Sequence, residues 1–179
     1  MPLSMSGTEK REKVNTRDIT LAAMATAVLF AAKEAMAALP NIEPVTLLLL
    51  VYTLTFGRRT LWIIAAFVML EGAIYPMGTW WVMYLYVWPI WYVLVRVMAR
   101  LRLSPLLWAC AAGGYGLAFG ALCIPTHILF HGVPGAFGWW VAGIPMDLLH
   151  GAGNFCLTLV LYRPLLGVTE RAVRGGQTA

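Results

Sequence analysis

The sequence predicts an all-α integral membrane protein of six transmembrane helices with both termini in the cytoplasm. Three observations lead there. Of its 179 residues, 60% are hydrophobic and only 12% are charged, about half the charged share of an ordinary soluble domain. The mean hydropathy is +0.74. Six apolar runs follow one another, and the basic residues between them gather at every second interruption. So few charges cannot cover a water-facing surface, so lipid must solvate most of the chain.

A helix crossing a hydrocarbon core of ~30 Å needs roughly 20 apolar residues. After a polar N-terminal tail, 1–17, the first span runs from Ile19 to Leu39 and is closed by Pro40 and Asn41. Ala35-Met36-Ala37 resembles a signal-peptidase site, but Lys33 and Glu34 intrude just before it, so the segment is read as a retained span. The second span, Ile42 to Gly57, is short and stops at Arg58 and Arg59. The third reaches from Thr60 to Tyr75, and the fourth from Thr79 to Val97, ahead of Arg100 and Arg102. Ser104-Pro105, a cap followed by a first-turn proline, opens the fifth, which extends to Ile124. The sixth spans Gly138 to Tyr162 and meets Arg163-Pro164. The membrane domain thus covers 18–168, and 169–179 forms a C-terminal tail.

Charge sets the expected orientation. Lys10, Arg11, Lys13 and Arg17 precede the first span, Arg58 and Arg59 follow the second, Arg96, Arg100 and Arg102 flank the fourth-to-fifth turn, and Arg163, Arg171 and Arg174 follow the sixth. The connections Pro40–Glu43, Pro76–Gly78 and Pro125–Phe137 contain no Lys or Arg, which places them outside. Only Lys33 departs from this segregation, and a snorkelling ammonium accounts for it. The net charge of +5 is therefore a topology signal and not a nucleic-acid surface. Cys110, Cys123 and Cys156 lie within apolar runs without metal-type spacing and read as buried thiols.

Several polar and aromatic residues are candidates for chemistry. Asp147, His150 and Asn154 fall on one face of the sixth span, spaced three and then four apart. Glu71 lies near the outer end of the third span, and Asn41 and Glu43 lie in the first outer connection. Ionisable groups within a membrane face a cavity or a partner. Trp80, Trp81, Trp139 and Trp140 sit where an interfacial aromatic belt is expected, while Tyr84, Trp88 and Trp91 run deeper along the fourth span. Polar groups and aromatic faces occur at similar depths in the outer half of the bundle, so Glu71, Trp81, Tyr84, Trp88, Asp147, His150 and Asn154 are expected to line a binding site roofed by Asn41–Glu43. The acidic balance of Glu43, Glu71 and Asp147 against Lys33 favours a neutral or cationic ring compound, such as a thiamine-like cation or a corrinoid. His127 and His131 are four apart without a third ligand, so no metal site is expected. On the first span, Ala23, Ala27, Ala31 and Ala35 recur every fourth residue, a spacing that lets another helix approach closely.

These features resemble the substrate-binding S component of energy-coupling-factor vitamin transporters over roughly Asp18 to Leu166. The likeness rests on the alanine stripe and on Leu39-Pro40-Asn41-Ile42-Glu43-Pro44-Val45. It rests also on Phe56-Gly57-Arg58-Arg59 and on the stretch from Gly143-Ile144-Pro145-Met146-Asp147 to His150-Gly151-Ala152-Gly153-Asn154. The resemblance implies a six-helix, non-enzymatic protein of a prokaryotic plasma membrane that captures a vitamin outside. It implies that Ala23, Ala27, Ala31 and Ala35 contact a transmembrane T component served by two cytoplasmic ATPases. The chain has no phosphate-binding Gly-x-x-x-x-Gly-Lys-Ser/Thr loop of its own, and it lacks the Met-x-His start of the nickel and cobalt versions. Two other readings stand beside this one: a stand-alone secondary carrier, and an intramembrane enzyme using Asp147, His150 and Glu71.

Overall fold

The structure is a computed structural model and describes residues 15–175. The first fourteen residues of the expected N-terminal tail and 176–179 of the C-terminal tail lie outside the described residues. The described chain is mostly helical, with no strand. Helix α1 is Thr16–Ala35, α2 Val45–Phe56, α3 Thr60–Ile74, α4 Thr79–Met98, α5 Pro105–Leu117 and α6 Phe119–Arg174. Short 3-10 turns, Gly57–Arg59 and Ala99–Leu101, follow α2 and α4. Three helical stretches are long and apolar enough to cross a membrane: Val45–Ile74, Thr79–Leu101 and Pro105–Arg174.

The last of these corrects the expected outer connection over Pro125–Phe137. The chain stays helical on both sides of one residue, Gly132, whose φ of 70° and ψ of 173° break the path. Glycine reaches that conformation without a Cβ penalty, and Pro134 begins the next turn, where a missing N–H costs nothing. α6 also continues through Thr169, whose hydroxyl bonds the Leu165 and Leu166 carbonyls, as far as Arg174.

Helix α2 is the centre of the bundle. It has only 12 residues, about 18 Å at 1.5 Å per residue, yet Val45 through Thr53 are all buried. A helix apolar on every side belongs inside, with other helices and not lipid around it. Trp91 of α4 donates its indole N–H to the Thr46 carbonyl at 2.9 Å, and Tyr52 donates to the Ala25 carbonyl of α1 at 3.2 Å. Trp91 also packs on Tyr115 of α5 with ring centroids 4.5 Å apart. The outer helices turn apolar side chains outward instead, with Trp62 69% and Leu129 76% exposed.

Two sets of polar contacts tie the ends of the bundle. At one, Arg59 pairs with Asp18 at 2.9 Å and Arg17 donates to the Val173 carbonyl at 2.6 Å. At the other, Lys33 bonds Glu71 at 2.8 Å and Asn41 donates to the Met146 carbonyl at 3.2 Å.

α5 and the second half of α6 meet through glycine. A Cβ on Gly116 would lie 2.8 Å from the Asn154 amide and 2.9 Å from the Gly151 backbone, while a Cβ on Gly114 meets nothing within 4 Å. Close backbone approach of this kind is how helices associate where water supplies no driving force. Gly116→Ala should therefore destabilise the purified protein by about 1–3 kcal/mol. Gly114→Ala should be neutral or better, since alanine has the higher helix propensity. Thermal unfolding in detergent checks both, and equal melting temperatures for the two variants would contradict the packing described.

Candidate functional site

Opposite the Arg59–Asp18 end, the segment between α1 and α2 folds over a cavity of about 620 Å³. That volume lies within the usual range for small-molecule sites, ~300–1,000 Å³. Met36 to Glu43 supply one wall, Met83 and Tyr84 of α4 the second, and α6 the rest through Phe119, Gly120, Cys123, Trp139, Met146, Asp147 and His150. Asn41 takes a left-handed backbone, φ 55°, which turns the covering segment back so that its amide reaches the Met146 carbonyl. The kink at Gly132 folds α6 back, so Phe119 and Cys123 stand on one side of it and Trp139 and Asp147 on the other. Trp139 stacks on His127 with centroids 3.6 Å apart and planes 19° from parallel, joining the two halves of α6 beside the cavity.

Asp147 is held by its backbone neighbour across that fold. Its Oδ1 accepts from the Gly120 N–H at 3.0 Å. A Cβ on Gly120 would stand 2.3 Å from Asp147 Oδ2, so only glycine leaves room for the carboxylate. His150 is buried and in ring contact with Phe119 at 4.8 Å, and its Nε2 has no partner among the described residues. A buried polar atom without a partner is costly, and here it borders a cavity that a ligand can fill. Glu43 is half-buried with no hydrogen bond or ion pair among the described residues, and desolvation pushes its carboxyl up to about 7. Lys33 also borders the cavity, but its ammonium is engaged by Glu71 at 2.8 Å and Glu34 at 3.2 Å.

Of the residues expected at the site, Asn41, Glu43, Tyr84, Asp147 and His150 line the cavity together. Glu71, Trp81, Trp88 and Asn154 stand outside its lining. Glu71 is the buried partner of Lys33. Trp81 donates to the Val68 carbonyl at 2.9 Å and covers Gly72. Trp88 is wholly buried behind Tyr84 and Phe119. Asn154 bonds the Thr46 hydroxyl at 3.2 Å in the core. The expectation of a snorkelling Lys33 is corrected: its long stem brings the ammonium to both the Glu34 and Glu71 carboxylates.

Sequence reasoning missed Phe119, Gly120 and Cys123, because they lie in what reads as the end of an uninterrupted apolar span. Met36, Met83 and Met146 carry no polar signal at all. Among the described residues no group of three His, Cys, Asp or Glu side chains is arranged to hold a metal ion. The Ala23, Ala27, Ala31 and Ala35 face of α1 is exposed from end to end. No protein-family model, curated protein or solved structure matches this chain.

Two outcomes follow from these electrostatics. Lys33→Met leaves Glu71 buried without its cation and should cost about 3 kcal/mol. Adding Glu71→Leu should restore most of that loss, read as the melting temperature of the single and double variants. Glu43 binds its proton more tightly folded than unfolded. Its contribution to stability is therefore complete below its ordinary value of 4.5 and disappears as pH rises through about 7. Across that window the melting temperature of wild type should fall more steeply than that of Glu43→Gln; parallel profiles would show that Glu43 is solvated.

Proposed function

We propose that this protein is the substrate-binding S component of an energy-coupling-factor type importer in a prokaryotic plasma membrane. In this reading the chain crosses the membrane six times with both termini inside. It captures a vitamin or similar micronutrient from the outer side and delivers it through a T component driven by two ATPases. The observation that carries the proposal is the 620 Å³ cavity, roofed by Asn41–Glu43 at the end of the bundle remote from Arg17, Arg59 and Arg174. Positive residues mark the cytoplasmic side, so the cavity opens outward. The exposed alanine face of α1 supports a docking role, since four small side chains on one stripe leave a flat surface for a partner helix.

The lining also narrows the cargo. With Lys33 neutralised by Glu34 and Glu71, the free groups are the Glu43 carboxylate, Asp147 Oδ2 and His150 Nε2. Acceptors thus outnumber donors, and Tyr84, Phe119 and Trp139 offer ring faces. This supports a neutral or cationic ring compound with its own N–H or O–H donors over an anion.

Calorimetry of the purified protein against a panel of B vitamins should find one tight ligand. Asp147→Asn or His150→Ala should weaken it about 5- to 150-fold, the range for removing one buried hydrogen-bonding partner. Ala27→Trp should leave that binding intact and abolish uptake by the complete transporter, because an indole prevents close helix approach. Uptake at the wild-type rate by Ala27→Trp rejects the alanine stripe as the docking face. Binding without any requirement for a T component in uptake would instead identify a stand-alone carrier.

A further inference from the structure

A second recess, of about 370 Å³, lies at the other end of the bundle, where α4 passes into its 3-10 turn. Tyr92, Val93, Arg96, Val97, Ala99 and Arg100 line it. Residues 93, 97 and 100 are spaced as one helix face, and 92, 96 and 100 as the adjoining one, so both guanidinium groups border one hollow. Arg96 and Arg100 make no ion pair or hydrogen bond among the described residues, whereas Arg17, Arg59 and Arg174 each have a partner. The chain offers them little compensation: no acidic residue occurs between Glu71 and Asp147 in the sequence. Arg96 reaches within 3.7 Å of the Cβ position of Gly57, toward a turn that carries two further arginines.

We infer that this recess binds the headgroup of an anionic phospholipid, with Arg96 and Arg100 clamping the phosphate and Val93 and Val97 lying along an acyl chain. The planar guanidinium presents paired donors that match phosphate oxygens, and two such groups converge here. The exposed valines decide between a lipid and a free phosphate. Val93 lies one turn before Arg96 and Val97 one turn before Arg100, 54% and 55% exposed, where only a ligand with a hydrocarbon tail gains from them. The recess sits at the end of a helix long and apolar enough to cross a membrane, and headgroups gather where such helices leave the hydrocarbon region.

Native mass spectrometry of the full chain in detergent, titrated with phosphatidylglycerol or phosphatidylcholine, tests the site. Wild type should retain phosphatidylglycerol preferentially. Arg96→Gln/Arg100→Gln should weaken that binding about 30-fold, the effect of removing two basic residues near an anionic headgroup, with phosphatidylcholine and the lipid-free melting temperature unchanged. Arg171→Gln/Arg174→Gln should bind phosphatidylglycerol as wild type does, and glycerol phosphate should fail to displace the lipid. Equal retention of the two lipids, or an undiminished Arg96→Gln/Arg100→Gln variant, would overturn the assignment. An equal loss in Arg171→Gln/Arg174→Gln would reduce it to diffuse charge attraction, and displacement by glycerol phosphate would replace the lipid with a soluble phosphate.

Discussion

Glu71 is almost wholly enclosed, and the ammonium that reaches it comes from Lys33 on another helix. A buried carboxylate is tolerated only with a close partner and good geometry, so α1 must pack against α3 at one register. That register brings Glu34 to the Tyr75 hydroxyl and sets where α1 ends. From that end the chain has nine residues, 36–44, in which to cross to α2, and those residues roof the cavity. The pair also removes the nearest cation from the cavity's electrostatics. Glu43, Asp147 and His150 are left to meet whatever enters.

The coarse architecture was legible because lipid imposes simple rules. Backbone groups must be satisfied within the helix, and charges must gather at the ends. Apolar run lengths and arginine positions therefore pointed to an all-helical membrane protein and to the starts of α2 through α5 within a few residues. The segment 125–137 was misread for an equally physical reason. Prolines and glycines mark turns in water, but Pro125 is carried within a helix and Gly132 alone makes the bend.

The site was legible in part. Asn41, Glu43, Tyr84, Asp147 and His150 converge because polar residues at matched depth in apolar helices have few other places to go. Depth does not tell which side of a helix faces the cavity. Glu71, Trp81 and Asn154 are instead taken up by Lys33, Val68 and Thr46. The place of Gly120 at the site was not legible, since its role is to yield space to an atom from 27 residues further along.

Helix α1 is fastened differently from its neighbours. Only Ala25, Thr26 and Leu29 of its 20 residues are buried, whereas polar contacts hold it at each extremity, through Arg17 and Asp18 below and Lys33 and Glu34 above. It behaves as a rail bolted at two brackets with little glue between. Such a rail keeps its ends in place while its middle presents a smooth track. The strength of the bolts, being ionic, answers to the salt around each end separately.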